Sequence, residues 1–178
     1  VPRMNFLMVD GKGDPNTAKE YADAIEALYS VSYTLKFKVK KLRLLDFVVM
    51  PLEGLWWLEG AREIDMTRKD DWSWTAMIMQ PEVITKVHFE ESIEEVREKR
   101  NPSSLSKVRL EDYHEGLSAQ IMYIGPYSDE ASTIERLHSF AEEEGYTLRG
   151  KHHEIYLGDP RRTAPEKLKT VIRQPVER

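Results

Sequence analysis

Ala119-Gln120-Ile121-Met122-Tyr123-Ile124-Gly125-Pro126 decides the fold, because the pattern it starts occurs twice in the chain. An apolar stretch runs into a glycine, a helical pattern follows, and Tyr146-Thr147-Leu148 comes next. Near the beginning, the apolar residues 4–9 lead to Gly11, then to Asp14-Pro15, to a helical pattern and to Tyr33-Thr34-Leu35. Later, Thr75-Ala76-Met77-Ile78-Met79-Gln80-Pro81 resembles Thr170-Val171-Ile172-Arg173-Gln174-Pro175. This order reads as an internal duplication, with repeats at about residues 1–84 and 105–178 of a single domain spanning 1–178. The first repeat carries roughly twenty extra residues, which we assign to an inserted polar loop over residues 58–71.

Each repeat reads as strand, helix, strand, strand. Tyr21, Ile25, Leu28 and Tyr29 recur at helical spacing after Asn16-Thr17, a candidate N-cap. Ser128 precedes Ala131, Ile134, Leu137 and Ala141 in the same way, and Gly145 is the expected stop. A further helix, capped by Thr85 and carrying Phe89, Ile93 and Val96, joins the repeats through the linker Asn101-Pro102-Ser103-Ser104, and a strand is expected from residue 107 to 112. Few strands with grouped helices predict an α+β fold: two pseudo-symmetric β-α-β-β modules, an antiparallel sheet backed by helices, and a central ligand cleft.

Composition narrows the function. At 178 residues the chain can bury a core, and its formal charge of -5 disfavours a nucleic-acid partner, which calls for clustered Lys and Arg. The absence of Cys removes thiol chemistry, disulfides and Cys-based metal sites. No apolar run approaches membrane-span length, and Val1-Pro2-Arg3-Met4 has no signal-peptide character, so a cytoplasmic location is expected, with no membrane, metal or cofactor.

The strand His152-His153-Glu154-Ile155-Tyr156-Leu157 alternates, which sets Ile155 and Leu157 on a core face and His152, Glu154 and Tyr156 together on the other. A plain row of solvent-facing polar residues would read the same way. Its counterpart, Pro51-Leu52-Glu53-Gly54-Leu55-Trp56-Trp57, also embeds a carboxylate among apolar residues, and its adjacent indoles must face opposite ways. Trp72-Ser73-Trp74-Thr75-Ala76-Met77 adds two indoles on one face, either core filling or the wall of a pocket. A Glu in an aromatic pocket is costly to ionise unless a cationic ligand offsets it; tuned toward neutrality, it can serve as an acid or base. Adjacent His152 and His153 face apart, which disfavours a metal, and Gly11-Lys12-Gly13 lacks a phosphate-loop pattern.

Glu53-Gly54-Leu55-Trp56-Trp57, Gly125-Pro126-Tyr127 and His153-Glu154-Ile155-Tyr156-Leu157, in this order, resemble the GyrI-like small-molecule-binding family, and more narrowly its stand-alone bacterial members described as cyclopropanoid cyclopropyl hydrolases. The resemblance implies two β-α-β-β modules around a cleft, a ligand-binding glutamate at Glu154, and a hydrolase that opens cyclopropanes conjugated to a carbonyl by adding water, a detoxification. The family often has a His two residues before Gly-Pro-Tyr, where this chain has Tyr123. No helix-turn-helix segment is legible, so a fused regulator is not expected. The expected catalytic residues are Glu154, Tyr156 and Glu53, and the expected ligand-binding residues Trp56, Trp57, Trp74, Met77, Tyr123, Tyr127 and His152. Tyr156 would donate to the carbonyl oxygen. The alternative is non-catalytic drug binding; gyrase antagonism finds no legible exposed apolar stripe to support it.

Overall fold

A computed structural model of the chain describes residues 1–61 and 63–178. Among these residues are three α-helices, α1 (Lys19–Lys41), α2 (Lys86–Lys99) and α3 (Ala131–Glu143). Eight strands accompany them: β1 (Arg3–Lys12), β2 (Leu52–Trp57), β3 (Ser73–Gln80), β4 (Arg109–His114), β5 (Ser118–Ile124), β6 (Thr147–Leu148), β7 (His152–Tyr156) and β8 (Lys169–Glu177). They form one antiparallel sheet in the order β4-β1-β3-β2-β7-β8-β5, with β6 pairing the end of β8. No described helix is long and apolar enough to cross a membrane.

Strand register determines what each face carries, because directly paired residues point to the same side. One row runs Val9, Ala76, Gly54, Glu154, Ile172, Ile121 from β1 to β5. Helix α1 covers the first part of this face: Ala24, Leu28, Val31 and Leu35, spaced for one helical side, pack on Leu7, Val9, Trp74 and Ala76. Each buried Leu or Val among these contributes about 1.5–3 kcal/mol. Helix α3 covers the far part, with Ile134 and Leu137 on Ile172. Gly54 and Glu154 therefore lie on the strip between the two helices. α2 packs on α1, and its Thr85 Oγ1 accepts from the His88 amide while His88 Nδ1 accepts from the Thr85 amide, both at 3.3 Å.

Several expectations need correction. Tyr33-Thr34-Leu35 lies inside α1 while Thr147-Leu148 is strand β6, so that triplet match is a coincidence of residue types. The helix after β1 has 23 residues and the helix after β5 has 13, so about half of the extra length assigned to a loop at 58–71 lies in α1 instead. The connection between β2 and β3 is only slightly longer than that between β7 and β8. Thr85 caps α2 as expected, but the caps expected for α1 and α3 do not hold: Ala18 and Glu130 occupy those positions without a side-chain cap bond. Gly145 does follow α3, at φ +80°. The strand expected at 107–112 begins two residues later.

Candidate functional site

An open cleft of about 1650 Å³ runs from the middle of the sheet, beside the start of α3, along α1 as far as α2. The first half contributes Tyr21, Trp56, Trp72 and Lys69 to its walls; the second contributes Tyr127, Glu130, Glu154 and Tyr156. Alternation along β7 sets His152, Glu154 and Tyr156 on this face, and all three form one chain. His152 Nε2 lies 2.8 Å from Glu154 Oε1, the Tyr156 hydroxyl donates to Glu154 Oε2 at 2.7 Å, and Trp56 Nε1 donates to the Tyr156 oxygen at 3.1 Å. Tyr127 meets Tyr156 edge-on at 5.5 Å, and Tyr21 tilts against Trp56 at 5.5 Å. The carboxylate thus sits at the base of an aromatic box.

A residue not singled out in the sequence completes the group. Glu130, 3% exposed at the N-terminus of α3, lines the cleft beside Glu154, and its Oε2 is buried with no hydrogen-bond partner among the described residues. Two neighbouring buried carboxyls do not both ionise readily, so one keeps its proton, and the environment assigns it. Burial first, then the negative charge of Glu154, pushes Glu130 up to about 9. Burial also pushes Glu154 up, but His152, Tyr156 and Glu130 together outweigh it and hold that carboxyl below its ordinary value. Glu130 is the neutral partner and Glu154 the ionised one at neutral pH. An acid at a helix start usually reads as a partner for the helix dipole, which hid it; its place just after Gly125-Pro126-Tyr127 was the available signal. Burial and Glu154 also raise Tyr156 well above its ordinary value, so its hydroxyl keeps its proton.

The other expected residues divide by face. Trp56 and Tyr127 line the cleft, and His152 supports Glu154 from behind. Trp74 is core, fully buried against Tyr21 at 5.0 Å. Tyr123 does not line the cleft: its hydroxyl donates to the Pro126 carbonyl at 2.9 Å, bracing the turn at Gly125 (φ +149°), where a Cβ would meet that hydroxyl at 2.5 Å. Glu53, Trp57 and Met77 point to the opposite sheet face, where Met77 packs with Phe6, Met8 and Leu55. There Glu53 Oε2 lies 2.8 Å from His153 Nε2, His153 Nδ1 2.8 Å from Glu115 Oε1, and Arg173 donates to Glu115 Oε2 at 2.9 Å. Glu53 and Glu154 are thus on neighbouring strands but separated by the sheet. Trp72, not chosen beforehand, does line the cleft, with Lys69 5.6 Å above its ring. An exposed apolar stripe that the sequence left unread also exists: Tyr33, Phe37, Leu42, Leu44, Leu45, Val48 and Met50 are exposed along the end of α1 and the loop after it.

An antiparallel sheet with two helices flanking an aromatic, carboxylate-floored cleft defines a small-molecule-binding α+β protein. Residues 1–177 match the GyrI-like small molecule binding domain, and the chain belongs to that family. Among solved structures, it is similar to an uncharacterized conserved protein from Listeria innocua (44% identity, 99% of this chain and 89% of that chain, TM-score 0.92). It is likewise similar to a hydrolase from Listeria innocua (41% identity, the same coverage, TM-score 0.85). The EcmrR C-terminal domain shares the fold at 12% identity, over 100% of this chain and 94% of that one, with TM-score 0.63. No curated protein matches the chain.

Proposed function

We propose that the chain is a cofactor-free hydrolase that opens a cyclopropane conjugated to a carbonyl, as found in DNA-alkylating natural products, by adding water. The feature that carries this reading is the buried carboxyl pair Glu130 and Glu154 in the lining of one cleft, whose environments drive the two in opposite directions. Ionised Glu154 takes a proton from water as the water oxygen bonds to a ring carbon. The strained C–C bond breaks, its electron pair moves toward the conjugated carbonyl oxygen, and that oxygen takes the proton of Glu130. The proton now on Glu154 then passes to Glu130. Both carboxyls are restored, and the net change is one water added. Each positioned acid or base of this kind contributes about 10² to 10⁴ in rate.

The remaining residues serve the pair. Tyr156 donates to Glu154 instead of to substrate, so it orients the base, and Trp56 in turn fixes Tyr156. The half-buried ring of Tyr127 offers a flat substrate a surface over a floor backed by the nearly buried Trp56 and Trp72. A hydrolase from Listeria innocua at 41% identity supports the assignment, and destroying an alkylator inside the cytoplasm would make the reaction protective. Incubation with a cyclopropane-bearing alkylator, followed by mass spectrometry, should yield the substrate plus one water, with loss of turnover in Glu154→Gln. Absence of turnover across several such alkylators would overturn the reading.

A second reading, binding without chemistry, is favoured by one feature: an ionised carboxylate inside an aromatic box suits an organic cation, the ring faces alone adding about 0.5–2 kcal/mol. Cation titration that quenches Trp fluorescence while no substrate is turned over would support it.

A further inference from the structure

The two edges of the sheet differ in a way the cleft does not explain. β4 closes one edge with Arg109, Glu111, Asp112 and His114 among six residues, the kind of charge that blocks addition of another strand. β5 closes the other with Ser118-Ala119-Gln120-Ile121-Met122-Tyr123-Ile124 and no charge. Among the described residues it pairs only with β8, and Met122 and Ile124 are 47% and 57% exposed. Its outer N–H and C=O groups are a template for one more strand.

α3 overhangs that edge, and a groove runs between them with Gln120 and Ile121 as its floor. The helix lines the groove with Ser132, Glu135, Arg136, Ser139, Phe140 and Glu143, at i, i+3, i+4, i+7, i+8 and i+11, a single helical stripe, all exposed, above the buried Leu137. We propose that this edge is a twofold interface with a second copy of the chain, β5 pairing antiparallel with β5 under two antiparallel α3 helices. The stripe is complementary to itself when reversed: Arg136 of each copy meets Glu143 of the other, and small Ser139 receives the ring of Phe140. The axis falls between Ser139 and Phe140 on the helix and near Gln120 and Ile121 on the strand. All four line the same groove, so one axis satisfies both layers.

Sedimentation equilibrium of the full chain should give twice the chain mass at micromolar concentration. Arg136→Glu and Glu143→Arg should each raise the dimer dissociation constant at least about tenfold by setting like charges together, while the combined R136E/E143R chain regains the dimer. Met122→Lys, which places a charge on the strand edge, should also yield monomer with an unchanged circular dichroism spectrum. A wild-type monomer, a dimer indifferent to the single reversals, or a double variant that stays monomeric overturns the proposal.

Discussion

Gly54 stands directly opposite Glu154 across the β2–β7 pairing, and it is the Trp56 ring that occupies the space its side chain would need. A Cβ built there falls 2.6 Å from Trp56 Nε1, the atom that donates to Tyr156. Gly54→Ala should therefore act on the site through Trp56. The ring must move, the Trp56–Tyr156 bond breaks and Tyr156 loses its hold on Glu154. We expect a stability loss of about 1–3 kcal/mol by denaturant titration, with a red-shifted Trp emission and a fall in turnover larger than that loss accounts for. Unchanged emission and turnover would show that Trp56 does not position the site.

The pH profile of kcat/KM should be bell-shaped, because the chemistry needs Glu154 ionised and Glu130 protonated. Glu154 is held below its ordinary value, so the acid limb should fall below the usual carboxylate range. Glu130 is pushed up to about 9, so the alkaline limb should lie near pH 9. Glu130→Gln should remove the alkaline limb while lowering the plateau, since an amide can donate to Glu154 but gives up no proton. A retained alkaline limb would assign it to another group.

The same substitution should stabilise the fold. A carboxyl whose folded value lies above its ordinary 4.5 contributes its full stability below that pH, and the contribution is lost as pH rises toward about 9. At pH 8 the buried Glu130 thus costs free energy that a Gln does not. We expect Glu130→Gln to gain roughly 1–3 kcal/mol at pH 8 and almost nothing at pH 4. Thermal melts at the two pH values test the difference; equal effects at both would mean that Glu130 is not held neutral.

How far the sequence carried depended on whether strand parity or packing decided a position. Parity placed His152, Glu154 and Tyr156 together, because alternation on a single strand needs no knowledge of neighbours. It also separated Trp56 from Trp57. Parity alone does not align two strands, and the register Gly54↔Glu154 put Glu53 on the far face, beside Ile155 and His153. Glu130 was illegible for another reason: its carboxyl is raised by burial first and then by the charge of Glu154, 24 positions away in the chain, and both arise only once α3 docks on β8. The match of Tyr33-Thr34-Leu35 to Tyr146-Thr147-Leu148 failed because a helix and a short strand tolerate the same three residues.

Glu53 provides the sharpest separation of the cleft from the face behind it. His153, 1% exposed, is raised above its ordinary value: burial alone would lower it, but hydrogen bonds and charge from Glu115 and Glu53 outweigh that. Glu115 is held low against its own burial by His153 and Arg173. Protonated His153 with Arg173 balances the two carboxylates, so removing one member leaves a buried charge uncompensated, at a cost of about 3–5 kcal/mol. Glu115→Ala should lose that much in urea titration. The sign for His153 follows from its raised value: its stabilisation is full below its ordinary 6.5 and is lost as pH climbs through the higher folded value, so the wild type should weaken on the alkaline side. Glu53→Gln keeps an acceptor for His153 and touches nothing in the cleft, so it should destabilise the chain while leaving the pH profile of turnover in place. If Glu53→Gln instead abolished turnover in chains that remain folded by circular dichroism, the catalytic group would have to extend through the sheet.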